Sequence, residues 1–244
     1  VFGEGPPLTL GPSMDDRLYL RQLRAGRDFG RQNPVAAQMA NFIYLVGDRV
    51  TKECVVIDPA WDVRGVLDRA AEDDMKVVGA MVTHYHPDHC GGTMFGFTVQ
   101  GLPELLALNP CPVHVHEAEA HGVRTVTKLS VSDLTAHSSG DKVKVGEVEI
   151  ECLHTPGHTP GSQCFRCKGA LIAGDTLFLQ GCGRVDLPGG NAEEMRRTLT
   201  QRLATLPGDL VLYPGHSYGE ETYTTPGSAS LADVRRRNQA LGWF

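Results

Sequence analysis

The stretch Thr83-His84-Tyr85-His86-Pro87-Asp88-His89 places three imidazoles and a carboxylate within six consecutive positions, 84 to 89. Imidazole nitrogens and carboxylate oxygens are donors that zinc, iron and manganese accept, and no thiolate is needed to complete such a set. His84 and His86 are two residues apart, so on an extended backbone both rings point the same way and can share one ion. Pro87 favours a new turn and a helix start, which directs Asp88 and His89 toward a second ion. Three later segments each bring one more donor: His158 in TPGH, Asp175 in AGD and His216 in PGH. His158 completes the first set, His216 completes the second, and Asp175 has two oxygens with which to bridge. The expected sites are His84, His86, His158 and Asp175 for one divalent ion, and Asp88, His89, His216 and Asp175 for the other. A lone histidine is most often structural; this dense, ordered pattern is not.

Such donors need rigid elements behind them. Short apolar runs read as strands at 18–25, 41–48, 53–60 and 77–84, with GDRVTK as a hairpin connection. KVKVGEVEIECLHT reads as a hairpin, GSQCFRCKGALIAGDTLF as two further strands and DLVLYPGH as the last one. Residues 61–74 and 191–206 carry apolar positions at helical spacing, whereas 93–112 is mixed and interrupted by Gly and Pro. Four strands thus end on a histidine or aspartate beside Gly or Pro, where the backbone can turn sharply. Strands outnumber helices and helices recur between and after them, which suggests an α/β sandwich of two sheets with helices packed outside. One domain is expected over 1–244, with 1–17 as a polar leader and 220–244 as a short C-terminal extension.

A hydrophobic content of 41% supports a sizeable core, and a net charge of −6 provides no basic field for nucleic acid. Arg235 to Arg237 is the longest basic run and reads as a solvated helix face. No run approaches the ~18 apolar residues that span a bilayer, so neither membrane nor nucleic acid is an expected partner. The start has no basic region followed by an apolar core, and the seven cysteines form an odd, scattered set. A cytoplasmic protein with reduced thiols is the expectation. The single C-x-x-C, Cys164 to Cys167, lies in an alternating strand and reads as structural, as does Cys182, a small buried thiol. The second H-x-H, His114 and His116, also alternates along a strand; His121 and His137 have no better claim, and His154 could support His158 from behind.

THYHPDH, TPGH, AGD and PGH, in this order over roughly residues 40 to 220, resemble the metallo-β-lactamase superfamily. The resemblance implies the αββα sandwich, two mixed sheets flanked by helices, with the metals at the strand ends along one edge. It implies that Asp58 supports a ligand from behind. An aspartate at 175, with GDTLFLQGCGR after it, is similar to the glyoxalase II-like group and to the persulfide dioxygenases. Two activities follow. One is a hydroxyacylglutathione hydrolase-like thioester hydrolase with two divalent ions, zinc or iron, in which Asp88 orients a metal-bound hydroxide. The alternative is a non-haem iron persulfide dioxygenase that holds one iron through His84, His158 and Asp175.

The details divide between them. Asp186 stands where glyoxalase II proteins have a tyrosine, and only 28 residues follow His216, which departs from their long helical C-terminal region. Tyr218 matches the second tyrosine of that group, and HCGGT looks more like the hydrolases. A small glutathione-derived thiol substrate is expected on either reading, with Arg184 on its carboxylate and Tyr218 beside it. A homodimer is compatible with the sequence. Retention of all seven donors argues against a non-catalytic member, and the lack of basic tracts against the nuclease branch.

Overall fold

The computed structural model describes residues 14–218 and 227–241; residues 1–13 of the leader, and 219–226 and 242–244 of the C-terminal segment, lie outside the described residues. The described residues begin with a turn of helix, α1 (Met14–Arg17), then β1 (Leu18–Arg24), α2 (Pro34–Met39) and the hairpin β2 (Phe42–Asp48) and β3 (Glu53–Ile57). Helix α3 (Val63–Glu72) leads to β4 (Lys76–Met81), the one-turn α4 (Pro87–Cys90) and a small hairpin, β5 (Gly92–Met94) with β6 (Phe97–Val99). Then come α5 (Leu102–Leu108), β7 (Val113–His116), α6 (Ala120–Thr127) and β8 (Leu134–His137). The second half holds β9 (Lys142–Val145), β10 (Val148–His154), β11 (Gln163–Cys167) and β12 (Ala170–Gly174). It closes with α7 (Ala192–Arg197), β13 (Val211–Pro214), β14 (Ala229–Ser230) and α8 (Leu231–Arg237).

Two mixed six-stranded sheets result, in the orders β1-β2-β3-β4-β7-β8 and β14-β13-β12-β11-β10-β9. Alternation along each strand builds the layers. In β2, Phe42, Tyr44 and Val46 face the second sheet and meet Ile150, Phe165 and Ile172, while Ile43 and Leu45 face the helices. Val63, Val66 and Ala70 of α3, three and four residues apart, cover that outer face together with Leu105 and Val123. On the other side Leu171, Ala173 and Leu212 pack under Met195, Leu199 and Leu231. Each fully buried aliphatic side chain contributes roughly 1.5–3 kcal/mol of burial. The order helix, sheet, sheet, helix is the expected sandwich.

Three local readings change. The mixed region after residue 93 folds into the β5-β6 hairpin and α5, a helix that starts with a proline in its first turn. Residues 120–127, with no helix expected, form α6. The helix expected over 191–206 is α-helical only to Arg197, then widens to a π turn over Thr198–Arg202 and tightens to a 3-10 turn over Leu203–Thr205. Cys164 packs in the outer cluster and Cys167 in the inner one, on opposite faces of β11, as residues three apart on a strand must. They cannot share an ion. Arg235 to Arg237 end α8, as a basic run at a helix C-terminus should. Among the described residues no helix is long and apolar enough to cross a membrane.

Candidate metal centre

The donors come from one edge of the sandwich, where the sheets are tied together. Gln163 of β11 donates its N–H to Thr83 O at 3.0 Å and its side-chain amide to Val82 O at 2.8 Å. Phe42 N bonds Gly215 O, and Asn41 pairs with His216 in a short bridge. His84 and His86 follow β4, and Pro87 opens α4 so that Asp88 and His89 both fall within its single turn. Glycine makes the close approach possible. Gly174 has φ +48°, and a Cβ on Gly215 would lie 2.4 Å from Asp175 Oδ1.

All seven expected ligands meet there. His84, His86 and His158 present ligand atoms within 4.8 Å of one another, and so do Asp88, His89 and His216. Asp175 stands between: Oδ1 is 3.4 Å from His89 Nε2, and Oδ2 is 3.5 Å from His158 Nε2 and 3.4 Å from His216 Nε2. The side chains of His84, His89, His158 and His216 are buried.

Each ring is oriented by the group on its outer nitrogen. Carbonyl oxygens only accept, so His158 Nδ1 donates to Arg184 O at 2.6 Å and His216 Nδ1 donates to Met39 O at 2.8 Å. His89 Nδ1 donates to Asp58 Oδ2 at 2.9 Å. The Thr83 hydroxyl spends its proton on Asp58 Oδ2 at 2.6 Å, so His84 Nδ1 donates to it across 3.0 Å. The inner Nε2 atoms of all four rings are thereby left as acceptors aimed inward, the second layer of contacts that metal-binding histidines require.

Those inner atoms crowd together. His86 Nδ1 is 3.1 Å from His84 Nε2 and 2.9 Å from His158 Nε2, and His89 Nε2 is 3.1 Å from His216 Nε2. Asp175 Oδ1 is buried with no hydrogen-bond partner among the described residues. Converging lone pairs and an orphaned carboxylate oxygen fit divalent cations, and the nitrogen and oxygen donors suit zinc, iron or manganese.

The electrostatics agree. Burial and the neighbouring His89, His158 and His86 rings hold His84 well below the usual imidazole value, and burial with His158 brings His86 down to about 4. Burial by itself would lower His89 and His216, but the Asp88 and Asp175 carboxylates raise both well above it. Burial would likewise raise Asp88, yet His89 and His216 keep it ionised. His84 and His86 resist protons while His89 and His216 draw positive charge, and divalent cations would answer both demands.

Several partners were not legible in the sequence. Buried Asn41 donates to Asp88 Oδ2 at 3.0 Å and is itself held by Trp61 Nε1 on its Oδ1 at 2.9 Å. Glu119 accepts from residues beside His84, His86 and His158. Neither stands in a motif, because the contacts cross from distant segments. Arg184 forms a two-pronged pair with Asp186 and is 68% exposed, so its backbone carbonyl, not its guanidinium, touches the ligand set. Tyr218 stacks on His216 with centroids 4.6 Å apart and remains half-exposed at the mouth. His154 does not touch His158: it bonds Pro160 O at 2.9 Å and stacks on His116. His114 pairs with His137, away from the seven donors.

Fold and site together define a class, and the chain belongs to the metallo-β-lactamase superfamily, whose model matches residues 38–216. A hydroxyacylglutathione hydrolase of Rhodospirillum rubrum is 33% identical over 209 residues, covering 85% of this chain and 72% of its own. The mitochondrial persulfide dioxygenase ETHE1 of Homo sapiens is 31% identical over 194 residues, covering 75% and 66%. The crystal structure of ETHE1 from Myxococcus xanthus superposes with a TM-score of 0.72 at 27% identity, covering 92% of this chain and 85% of that one. Both expected activities are therefore represented among its relatives.

Proposed function

We propose that the protein hydrolyses small thioesters of the S-(2-hydroxyacyl)glutathione type with two divalent ions. His84, His86 and His158 would hold one ion and Asp88, His89 and His216 the other, with Asp175 available to both. The observation that carries the reading is the completeness of the second set: three buried donors, with the outer nitrogens of its two rings already fixed by Asp58 and Met39. A one-ion enzyme using His84, His158 and Asp175 would leave that second set without an ion.

Divalent ions held by these residues would supply an acidified water and a Lewis acid for the thioester carbonyl. Asp88, kept ionised by His89 and His216 and held by Asn41, would orient such a water. Tyr218 offers a face and a hydroxyl to the substrate at the mouth, and Arg184 exchanges Asp186 for the substrate carboxylate. The second reading, persulfide dioxygenation, is favoured by Asp186, where glyoxalase II proteins carry a tyrosine, and by the human relative. Release of free thiol from S-(2-hydroxyacyl)glutathione tests the proposal: turnover that falls at least ~100-fold in Asp88→Asn supports it, and no thiol release by the metal-loaded parent rejects it.

A further inference from the structure

Glu119 is fully buried at the start of α6, where an acidic side chain would ordinarily cap the helix, yet its carboxylate caps nothing. It turns instead toward two ligand loops. Oε1 accepts the Tyr85 N–H at 2.9 Å and the Thr159 hydroxyl at 2.6 Å, and Oε2 accepts the Gly161 N–H at 2.8 Å. Tyr85 lies between His84 and His86, and Thr159 follows His158. Gly161 is glycine because a Cβ there would stand 2.5 Å from Glu119 Oε2. Burial lifts the Glu119 carboxyl to about 7, with the three neutral donors opposing the rise. Keeping a carboxyl in such a place costs stability that an apolar residue would not.

We infer that Glu119 is a positioning residue that clamps the His84-His86 loop to the His158 loop and preforms the first ion site, while Asn41 serves the second and Asp58 reaches a ring in each. The inference rests on the two-ion reading above. In the metal-free protein His86 Nδ1 lies 3.1 Å from His84 Nε2 and 2.9 Å from His158 Nε2, one proton there can satisfy only one of the two contacts, and these rings come from different sheets. One carboxylate bonded to both loops holds them in place before an ion arrives. Its rigidity comes from α6, whose backbone continues directly from Glu119.

The test uses cobalt(II), whose visible spectrum reports ligand geometry, with affinity measured by chelator competition. His216→Ala isolates the first site and His86→Ala the second. Glu119→Gln keeps the shape but must present an amide donor to another donor. It should weaken cobalt about tenfold or more in the His216→Ala background, alter the spectrum there, and leave the His86→Ala background unchanged. Thr159→Val, which removes one of the three bonds, should give a smaller shift of the same kind, so the test stands even if Glu119→Gln folds poorly. Unchanged affinity in both backgrounds, or equal weakening in both, overturns the role of Glu119 while leaving the two-ion reading intact. A parent that binds no cobalt overturns both.

Discussion

Asp58 Oδ2 receives the His89 ring N–H at 2.9 Å and the Thr83 hydroxyl at 2.6 Å, and the Thr83 hydroxyl in turn receives His84. One carboxylate thus fixes a ring in each half of the site. Asp58→Ala should lower metal affinity roughly 10- to 100-fold and, by leaving the Thr83 N–H unpaired, cost about 1–3 kcal/mol of stability. Chelator competition and urea unfolding check the two effects separately. Affinity within twofold of the parent would mean that packing alone orients His89.

Asp175 faces His89 with one oxygen and both His158 and His216 with the other. Asp175→Ala should therefore strip metal from both sites, whereas His216→Ala and His86→Ala should each strip one. Elemental analysis of the purified variants reads this directly. Full metal content in Asp175→Ala would remove its bridging role.

Asp48 offers a prediction in pH away from the candidate metal centre. It ends β2, is buried, and joins the two sheets by accepting the Glu147 N–H at 2.8 Å while Arg17 reaches it at 2.6 Å. Burial would raise its carboxyl, but the Glu147 and Val50 N–H groups and Arg17 hold it below the usual range. A lowered folded value contributes stability that is present above the unfolded value, near pH 4, and lost as pH falls through the folded one. The stability gap between the parent and Asp48→Asn, both metal-free, should be widest at pH 7 and shrink below about pH 4. Thermal melts at pH 7 and pH 3 measure it; a gap that grows in acid would contradict the assignment.

Arg184 and Asp186 should behave oppositely. The exposed pair must open for Arg184 to take a substrate carboxylate. Arg184→Ala should raise KM roughly tenfold with kcat little changed, and Asp186→Asn should lower KM. A KM that moves the same way in both would show that the guanidinium does not meet the substrate.

Much of this centre is legible in the sequence because its donors sit in compact motifs at strand ends, and the strands themselves stand out as short apolar runs. Asp58 is legible only through the family resemblance, since an Asp-Pro at a strand end is by itself an unremarkable turn. What escapes is carried by long-range contacts or by backbone. Met39 O and Arg184 O orient two rings without any side-chain signature, and Asn41 and Glu119 act across 47 and 34 positions of sequence. Helix α6 escapes for a similar reason. It is eight residues long and contains Gly122, which is there because the Tyr85 ring packs where a Cβ would be, 2.5 Å away. Arg184 is read for its charge when its structural contribution is its carbonyl.

Metal content and oxygen consumption, measured on one sample of the protein purified without added metal, test the two-ion thioesterase most directly. The account predicts two divalent ions per chain, thiol release from S-(2-hydroxyacyl)glutathione without oxygen uptake, and no oxygen uptake with glutathione persulfide. A single iron per chain, with oxygen consumed on glutathione persulfide and the thioester left intact, would contradict it.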